Sequence, residues 1–415
     1  MTFDSKEFRG LCSCGKEHNL ETDFCVVESG ALLRIDQYLS AYSLSGYIVA
    51  VYDENTYKAT SDRHPMVDKE LILPAKDLHA NEHGVDLLLE ILPNETNLII
   101  AIGSGTVHDI CRYCAFLKKI VFVSCPTAAS VDGFCSSVAA MTWNGCKKTL
   151  TAVAPKIVIA DLDIIKNAPI QLAKSGFGDM VGKYVALTDW KIGKILKNEY
   201  YCPRIASLTM EATEASLKAL NGILVGEESA YESLIFGLLL SGLAMQMIGN
   251  SRPASGAEHH ISHLIEMEPA GLGLHSDALH GEKVGVGTLL VMEKYQSLLK
   301  MKNLKFFDYK TFSEDSINSV FFGEKLKEIQ KENEKDCAVG IDAKTIEENL
   351  TEILKVLSEL PKIDSLTALF EKNNVKSKLR DIQVSEEKKT ELLAFAPMVR
   401  NRLTLLRLLS QGAIQ

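Results

Sequence analysis

The 415-residue chain has no surplus of positive charge, no long unbroken apolar run, no internal repeat and no low-complexity tract. Each absence excludes something. A net charge of −9 argues against a general nucleic-acid surface, which needs a concentrated basic face, but leaves room for one small anionic substrate held by a local cation. The most apolar stretch, SLIFGLLLSGLAMQMIG from Ser233 to Gly249, is interrupted by Ser, Gly and Gln and falls short of the roughly 20 apolar residues of a membrane helix. It reads as a buried helix, so no membrane partner is expected. The opening MTFDSKEFRG lacks a charged region followed by an apolar one and does not look like a secretory leader. The ten cysteines are then expected as reduced thiols in the cytoplasm.

What the chain does contain is a sequence of short apolar runs alternating with helical patterns through about residue 160. DFCVVES, GYIVAVYD, NLIIAIGSG, KIVFVSCP and KIVIADLD are nearly continuous in apolar residues, as strands buried on both faces require. Helical segments such as TVHDICRYCAFL lie between them, so the expected layout is an α/β parallel sheet of the nucleotide-binding type. Beyond Asp163 the pattern turns to long helices. The expected organisation is an α/β NAD-binding domain over 1–165, then a mostly α-helical metal- and substrate-binding domain over 166–415, the boundary lying near 162–170. The Lys- and Glu-rich stretch from Lys300 to Glu391 has the spacing of solvated amphipathic helices and carries no assigned chemistry.

Gly103-Ser104-Gly105-Thr106-Val107-His108-Asp109 follows a strand and opens a helix, a cradle for an anion: glycines let backbone approach a pyrophosphate, and a helix N-terminus offers N–H donors. It is not GxGxxG, and the candidate ribose-binding acid, Asp53 with Asn55 beside it, lies upstream instead of about 20 residues downstream. A carboxylate there would accept from a ribose hydroxyl and repel a 2′-phosphate, favouring NADH over NADPH; a helix cap explains it equally well. A second polar cluster, Pro126-Thr127-Ala128-Ala129-Ser130-Val131-Asp132-Gly133, also leaves a strand and reads either as a ligand loop or as an ordinary turn.

Asp179 in SGFGDMVGKY, His259 and His263 in RPASGAEHHISH, and His280 in HGEKVGVG form a scattered set of metal-ligand types. One carboxylate with two or three imidazoles can hold a divalent cation and leave a position open for substrate. His259 and His263, one helical turn apart, share a face, although HxxxH alone serves as well for core or surface histidines. Asp179, among apolar neighbours, requires a partner: a metal, Lys183 or a helix N-terminus.

Taken in order, GSGTVHD, PTAASVDGF, GFGDMVGKY, RPASGAEHHISH and HGEKVGVG resemble the glycerol-1-phosphate dehydrogenases, a branch of the iron-containing alcohol dehydrogenase and dehydroquinate synthase superfamily. The matching runs from Asp53 to about Gly287, with APMVRNRLTLL near the C-terminus also similar. The resemblance implies a dehydroquinate synthase-like fold and one divalent metal, nickel or zinc, on Asp179, His259 and His280. It implies substrate contacts from Asp132, Asp179 and His263, and NAD(H) or NADP(H) contacts from Gly105 to Asp109, from Thr127 to Ser130 and at Ser136, with Asp53 or Asn55 at the adenosine end. A homodimer or larger homo-oligomer is also implied.

The implied reaction is the interconversion of dihydroxyacetone phosphate and sn-glycerol 1-phosphate, with His263, at an ordinary imidazole pKa, delivering the proton. Arg252 and Lys183 are the candidate cations for the substrate phosphate. Two sulfur patterns are set aside. Cys12-Ser13-Cys14-Gly15-Lys16-Glu17-His18 has zinc-capable ligands, but CxC is a poorer spacing than CxxC and a hairpin with buried thiols accounts for it; Cys111-Arg112-Tyr113-Cys114 is formally CxxC inside a helix and reads as core thiols. Three alternatives remain open: a sugar-phosphate cyclase that keeps its NAD, a glycerol or polyol dehydrogenase on the same scaffold, and an inactive nucleotide- or metal-binding regulator.

Overall fold

The computed structural model describes residues 1–312 and 319–415. The five apolar runs form the strands β2 (Phe24–Glu28), β3 (Tyr47–Asp53), β5 (Thr96–Gly103), β6 (Val121–Pro126) and β9 (Ile157–Asp161). Two shorter strands, β1 (Thr2–Asp4) and β4 (Lys69–Leu73), extend the edges of one sheet of order β1-β2-β9-β6-β5-β3-β4, parallel except for the antiparallel pair β1/β2. A separate antiparallel hairpin joins β7 (Val138–Trp143) and β8 (Cys146–Thr151). Its turn is Asn144-Gly145, with φ of 51° and 69°, the positive pair that a tight two-residue hairpin needs.

Burial on both faces explains the continuous apolar runs. Val49, Val51, Ile99 and Ala101 enter one core with Ile110, Cys111 and Cys114 of α4 (Gly105–Lys118), while Ala50, Tyr52, Leu98 and Ile100 enter another with Leu32 and Ile35. Alternate residues of a strand point to opposite faces, so each central strand feeds both layers. Burial raises the thiol pKa of both Cys111 and Cys114, which makes them inert core residues.

Two compact units divide the chain: Met1–Met180 with Glu211–Asn250, and Val181–Met210 with Ser251–Gln415. The divisions fall inside two long helices, α6 (Ile170–Lys197) and α7 (Pro203–Leu224), and just beyond α8 (Glu228–Ile248). Among the described residues α8 is the one helix long and apolar enough to cross a membrane, and 72% of its apolar window is buried inside the protein. It is a core helix of the first unit.

The second unit is helical, built around α9 (Ala257–Met267) and α10 (His280–Ser297). The Lys- and Glu-rich stretch contributes amphipathic helices whose apolar sides are inside: Ile353, Val356 and Leu357 on one, Leu366 and Phe370 on the next. At the centre of this unit Asp189 of α6 is fully buried. Its Oδ2 accepts from Ala257 N at 2.9 Å, and its Oδ1 accepts from Leu405 N at 2.9 Å and Tyr295 Oη at 2.7 Å. One carboxylate thus caps the start of α9 and the start of the helix Leu405–Ser410, and fixes the far end of α10.

Burial pushes the Asp189 carboxyl up from 3.8 to about 7, outweighing its donors. The folded protein therefore holds a proton there that the unfolded chain releases, and this group's contribution to stability falls as pH rises from about 4 to 7. Asp189→Asn leaves a buried N–H facing an amide NH₂ and should cost about 1–3 kcal/mol in urea unfolding. The gap between parent and variant should narrow as pH rises through that window; a gap independent of pH would show that Asp189 is not the titrating group.

Candidate functional site

In the first unit the chain leaves β3 outward to β4 and returns to β5 on the other side of β3, so the strand order reverses between β3 and β5. Ligands of open α/β sheets bind at such a reversal, outside the carboxyl ends of the strands. The pairing Val51↔Ala101 carries the register forward to set Asp53 beside Gly103, and Gly103↔Pro126 sets the next loop beside both. Thr127 N donates to Gly103 O at 2.9 Å. The three polar segments singled out in the sequence therefore meet along one edge.

At that edge Ser104 precedes α4 with no side-chain cap, so the helix's first N–H groups are not engaged by its N-cap residue. Gly103 has no room for a side chain, since a Cβ would lie 2.6 Å from Val107. Gly105, Thr106 and Asp109 are partly exposed, whereas Val107 and His108 are buried. The side chains of Val107 and His108 therefore belong to the core, and what these two residues present at the edge is backbone. The His108 ring lies 4.9 Å from Phe134, donates from Nδ1 to Ser104 O at 3.0 Å, and is driven by burial to a pKa of about 3.

Asp53 caps the short helix α2 (Glu54–Ala59) through Asn55 N and Thr56 N, both at 2.8 Å, with the reciprocal Thr56 bond completing a capping box. Ala128 and Ala129 are buried, as are Thr127, Ser130 and Ser136. Ser136 Oγ accepts from Val138 N, and Ser130 O accepts from Ser175 Oγ at 3.1 Å. Gly176 lets α6 press on this loop, for a Cβ there would be 2.1 Å from Ala129 O. One turn on, Asp179 Oδ2 accepts from Asp132 N at 3.0 Å, and Asp132 Oδ2 accepts from Ser241 Oγ at 2.8 Å.

In the second unit His259 and His263 lie on α9 and His280 is the first residue of α10, their ring centres 5.4 to 6.0 Å apart. His259 and His280 have ring nitrogens within 4.8 Å of each other. His259 Nδ1 is held by Glu258 Oε1 at 2.6 Å, and His280 Nδ1 by Glu266 Oε1 at 2.8 Å. A carboxylate can only accept, so each Nδ1 is the donor, an arrangement in which metal-ligating histidines are found. Glu258 is itself fixed by Gly256 N at 2.8 Å and is fully buried.

His263 differs from both. Burial first, then the positive charge of Arg400, lowers its pKa well below 6.5. The expectation of an ordinary imidazole pKa is corrected: the His263 ring is held in its neutral form at pH 7. Arg252, expected at a substrate phosphate, is buried and forms a bidentate pair with Glu199 at 2.8 and 2.5 Å, and Lys183, fully buried, donates to Ala254 O at 3.0 Å. Both cations are engaged within the fold. Sequence reading missed Glu258, Glu266 and Arg400; the two acids stand one residue before His259 and three after His263, close enough to have signalled second-layer partners.

The profile of the family described as "Iron-containing alcohol dehydrogenase" matches residues 26–169. The glycerol-1-phosphate dehydrogenase [NAD(P)+] of Bacillus licheniformis is 36% identical over 71% of this chain and 76% of its own length. That of Bacillus subtilis is 40% identical over 63% and 68%, and that of Halalkalibacterium halodurans 31% identical over 98% and 97%. Among solved structures, a sulfoacetaldehyde reductase from Bifidobacterium kashiwanohense in complex with NAD+ superposes with a TM-score of 0.62 at 14% identity, covering 96% of this chain and 98% of that one. A probable glycerol dehydrogenase from Sinorhizobium meliloti gives 0.61 at 16% identity, covering 94% and 97%. These two structures show the shared fold, and the sequence relatives show the rest: the chain belongs to the glycerol-1-phosphate dehydrogenase family of metal-binding, NAD(P)-linked oxidoreductases within the iron-containing alcohol dehydrogenases.

Proposed function

We propose that this protein interconverts dihydroxyacetone phosphate and sn-glycerol 1-phosphate, using NAD(P)H and one divalent cation, nickel or zinc. The observation that carries the reading is the pair His259 and His280, each with Nδ1 held by a carboxylate and with ring nitrogens within 4.8 Å of each other. The activity of the related glycerol-1-phosphate dehydrogenases suggests the substrate. The same reading places the enzyme in the cytoplasm as a homodimer or larger homo-oligomer, supported by its ten cysteines and by the family resemblance.

Asp179 is the third proposed ligand, as the family resemblance implies; within its own unit its Oδ2 accepts from Asp132 N at 3.0 Å. A bound cation would polarise the ketone oxygen, and the reduced nicotinamide would supply a hydride, two electrons with one proton, to its carbon. The chain's part is to orient and to move the proton: Asp132 and Asp179 position the substrate hydroxyls, while neutral His263 relays a proton from water to the oxygen. Asp53 and Asn55 take the adenosine end, and the backbone of 105–109, with the loop 127–130 and Ser136, takes the rest of the nucleotide.

For the phosphate we place Arg400 ahead of Arg252, because Arg400 is partly exposed and its charge reaches His263, whereas Arg252 is neutralised by Glu199. Arg400→Ala should raise KM for dihydroxyacetone phosphate more than for dihydroxyacetone. Arg252→Ala should instead lower thermal stability, and the reverse pattern would return the phosphate to Arg252.

The activity is tested with chelator-stripped protein reloaded separately with nickel or zinc, following NADH absorbance on addition of dihydroxyacetone phosphate. Metal-dependent oxidation, stoichiometric with product, is expected, and chiral analysis should give sn-glycerol 1-phosphate. Tight NAD binding without net oxidation with either metal would reject the dehydrogenase in favour of the cyclase or regulator readings. His263→Ala should lower turnover about 100-fold, in the range of a lost proton-transfer group, with metal content intact; unchanged turnover removes His263 from the proton path.

A further inference from the structure

The N-terminal segment 12–18 is not used by the proposed reaction, yet its geometry is that of a ligand loop. Cys12 N donates to Lys16 O and Gly15 N to Cys12 O, both at 2.9 Å, closing a tight turn flanked by the antiparallel bridge Leu11↔Glu17. Gly15 takes φ of +85°, which a side chain would strain. The turn folds the CxC pair back toward His18. Ligand atoms of Cys12, Cys14 and His18 all lie within 4.8 Å of one another, and Cys14 Sγ is 3.4 Å from His18 Nε2.

Two features separate this group from a chance meeting of buried thiols. The first is the other nitrogen of His18: Nδ1 sits 3.0 Å from Met247 O, a carbonyl in the last turn of α8. That oxygen only accepts, so Nδ1 donates to it and Nε2 is turned toward the sulfurs, with the ring buried and held in place. The second is spacing. Zinc held tetrahedrally by a thiolate at about 2.3 Å and an imidazole at about 2.0 Å sets sulfur and nitrogen about 3.5 Å apart, close to the distance found here.

We propose that Cys12, Cys14 and His18 form a second metal site, a structural one that takes zinc. Binding replaces the two thiol protons with the cation, and the protons leave to solvent. The site fastens the N-terminal turn to the end of α8, joining two segments of the first unit far apart in sequence. The CxC spacing, which argued against zinc when read alone, is accommodated because the third ligand comes from the same turn.

The test uses the full-length protein purified from zinc-supplied medium. Metal analysis should find zinc that survives removal of the catalytic cation by a mild chelator, that the Cys12→Ser/Cys14→Ser protein lacks, and that His18→Cys retains. Independently, alkylation of the native parent should label Cys12 and Cys14 about tenfold or more slowly with zinc than without it. Mass spectrometry of all ten cysteines then shows whether another thiol, protected alongside them, completes the tetrahedron. Unchanged zinc content in the double variant, or equal labelling of Cys12 and Cys14 with and without zinc, overturns the site. The labelling arm decides the matter even if the double variant does not fold.

Discussion

The helical unit depends on one buried carboxylate. Asp189 has no solvent to hydrate it, and its oxygens are bonded to the first turn of α9, the first turn of the helix Leu405–Ser410 and the phenol of Tyr295. A helix start leaves N–H groups without partners, and a buried acceptor that serves two such starts fixes both helices at one point. α9 carries His259 and His263, and α10, which ends near Tyr295, begins at His280. The helices that carry the imidazoles are thus anchored away from the rings themselves, at Ala257, two residues before His259, and at Tyr295, fifteen after His280. Gly182 and Gly287 complete the arrangement, since a Cβ on either would fall within 2.8 Å of a neighbouring element.

The nucleotide edge of the first unit rests on a different constraint, strand register. Parallel pairing fixes which residues end side by side, and here Asp53, Gly103 and Pro126 close their strands in adjacent positions. The loops that follow thus converge without any contact among their side chains having to bring them together. Such an edge offers backbone donors and one carboxylate, a suitable set for a polyanionic nucleotide whose ribose also requires an acceptor.

Much of this was legible in the sequence, and what was not has identifiable causes. Strands buried on both faces announce themselves as apolar runs, and all five central ones were recognised. The edge strands β1 and β4 were not: half-exposed, with sequences TFD and KELIL, they are short and carry charge. The hairpin β7/β8 did carry a signal, Asn144-Gly145, which went unread. At the candidate sites the ligand types were visible, but their partners were not, because no pattern says that Arg252 will find Glu199 or that His108 will turn toward Phe134. Charge and residue type give candidates; burial decides which of them remain free to act.

The histidines show why that decision is physical. His18, His108, His259 and His280 each have Nδ1 held by an acceptor, Met247 O, Ser104 O, Glu258 and Glu266 respectively. Nδ1 is therefore a donor in all four, and that nitrogen alone does not distinguish a ligand from a core residue. The second one does. In His108 the ring is packed among Phe122 and Phe134 and its Nε2 is buried without a partner, a position from which no cation could be reached. In His259 and His280 the ring nitrogens come close to one another, and in His18 Nε2 meets a thiol. A lone pair aimed at another electron-rich atom is unfavourable unless a proton or a cation lies between them. That requirement, more than any spacing in the sequence, makes both places candidates for a cation and sets them apart from the buried ring of His108.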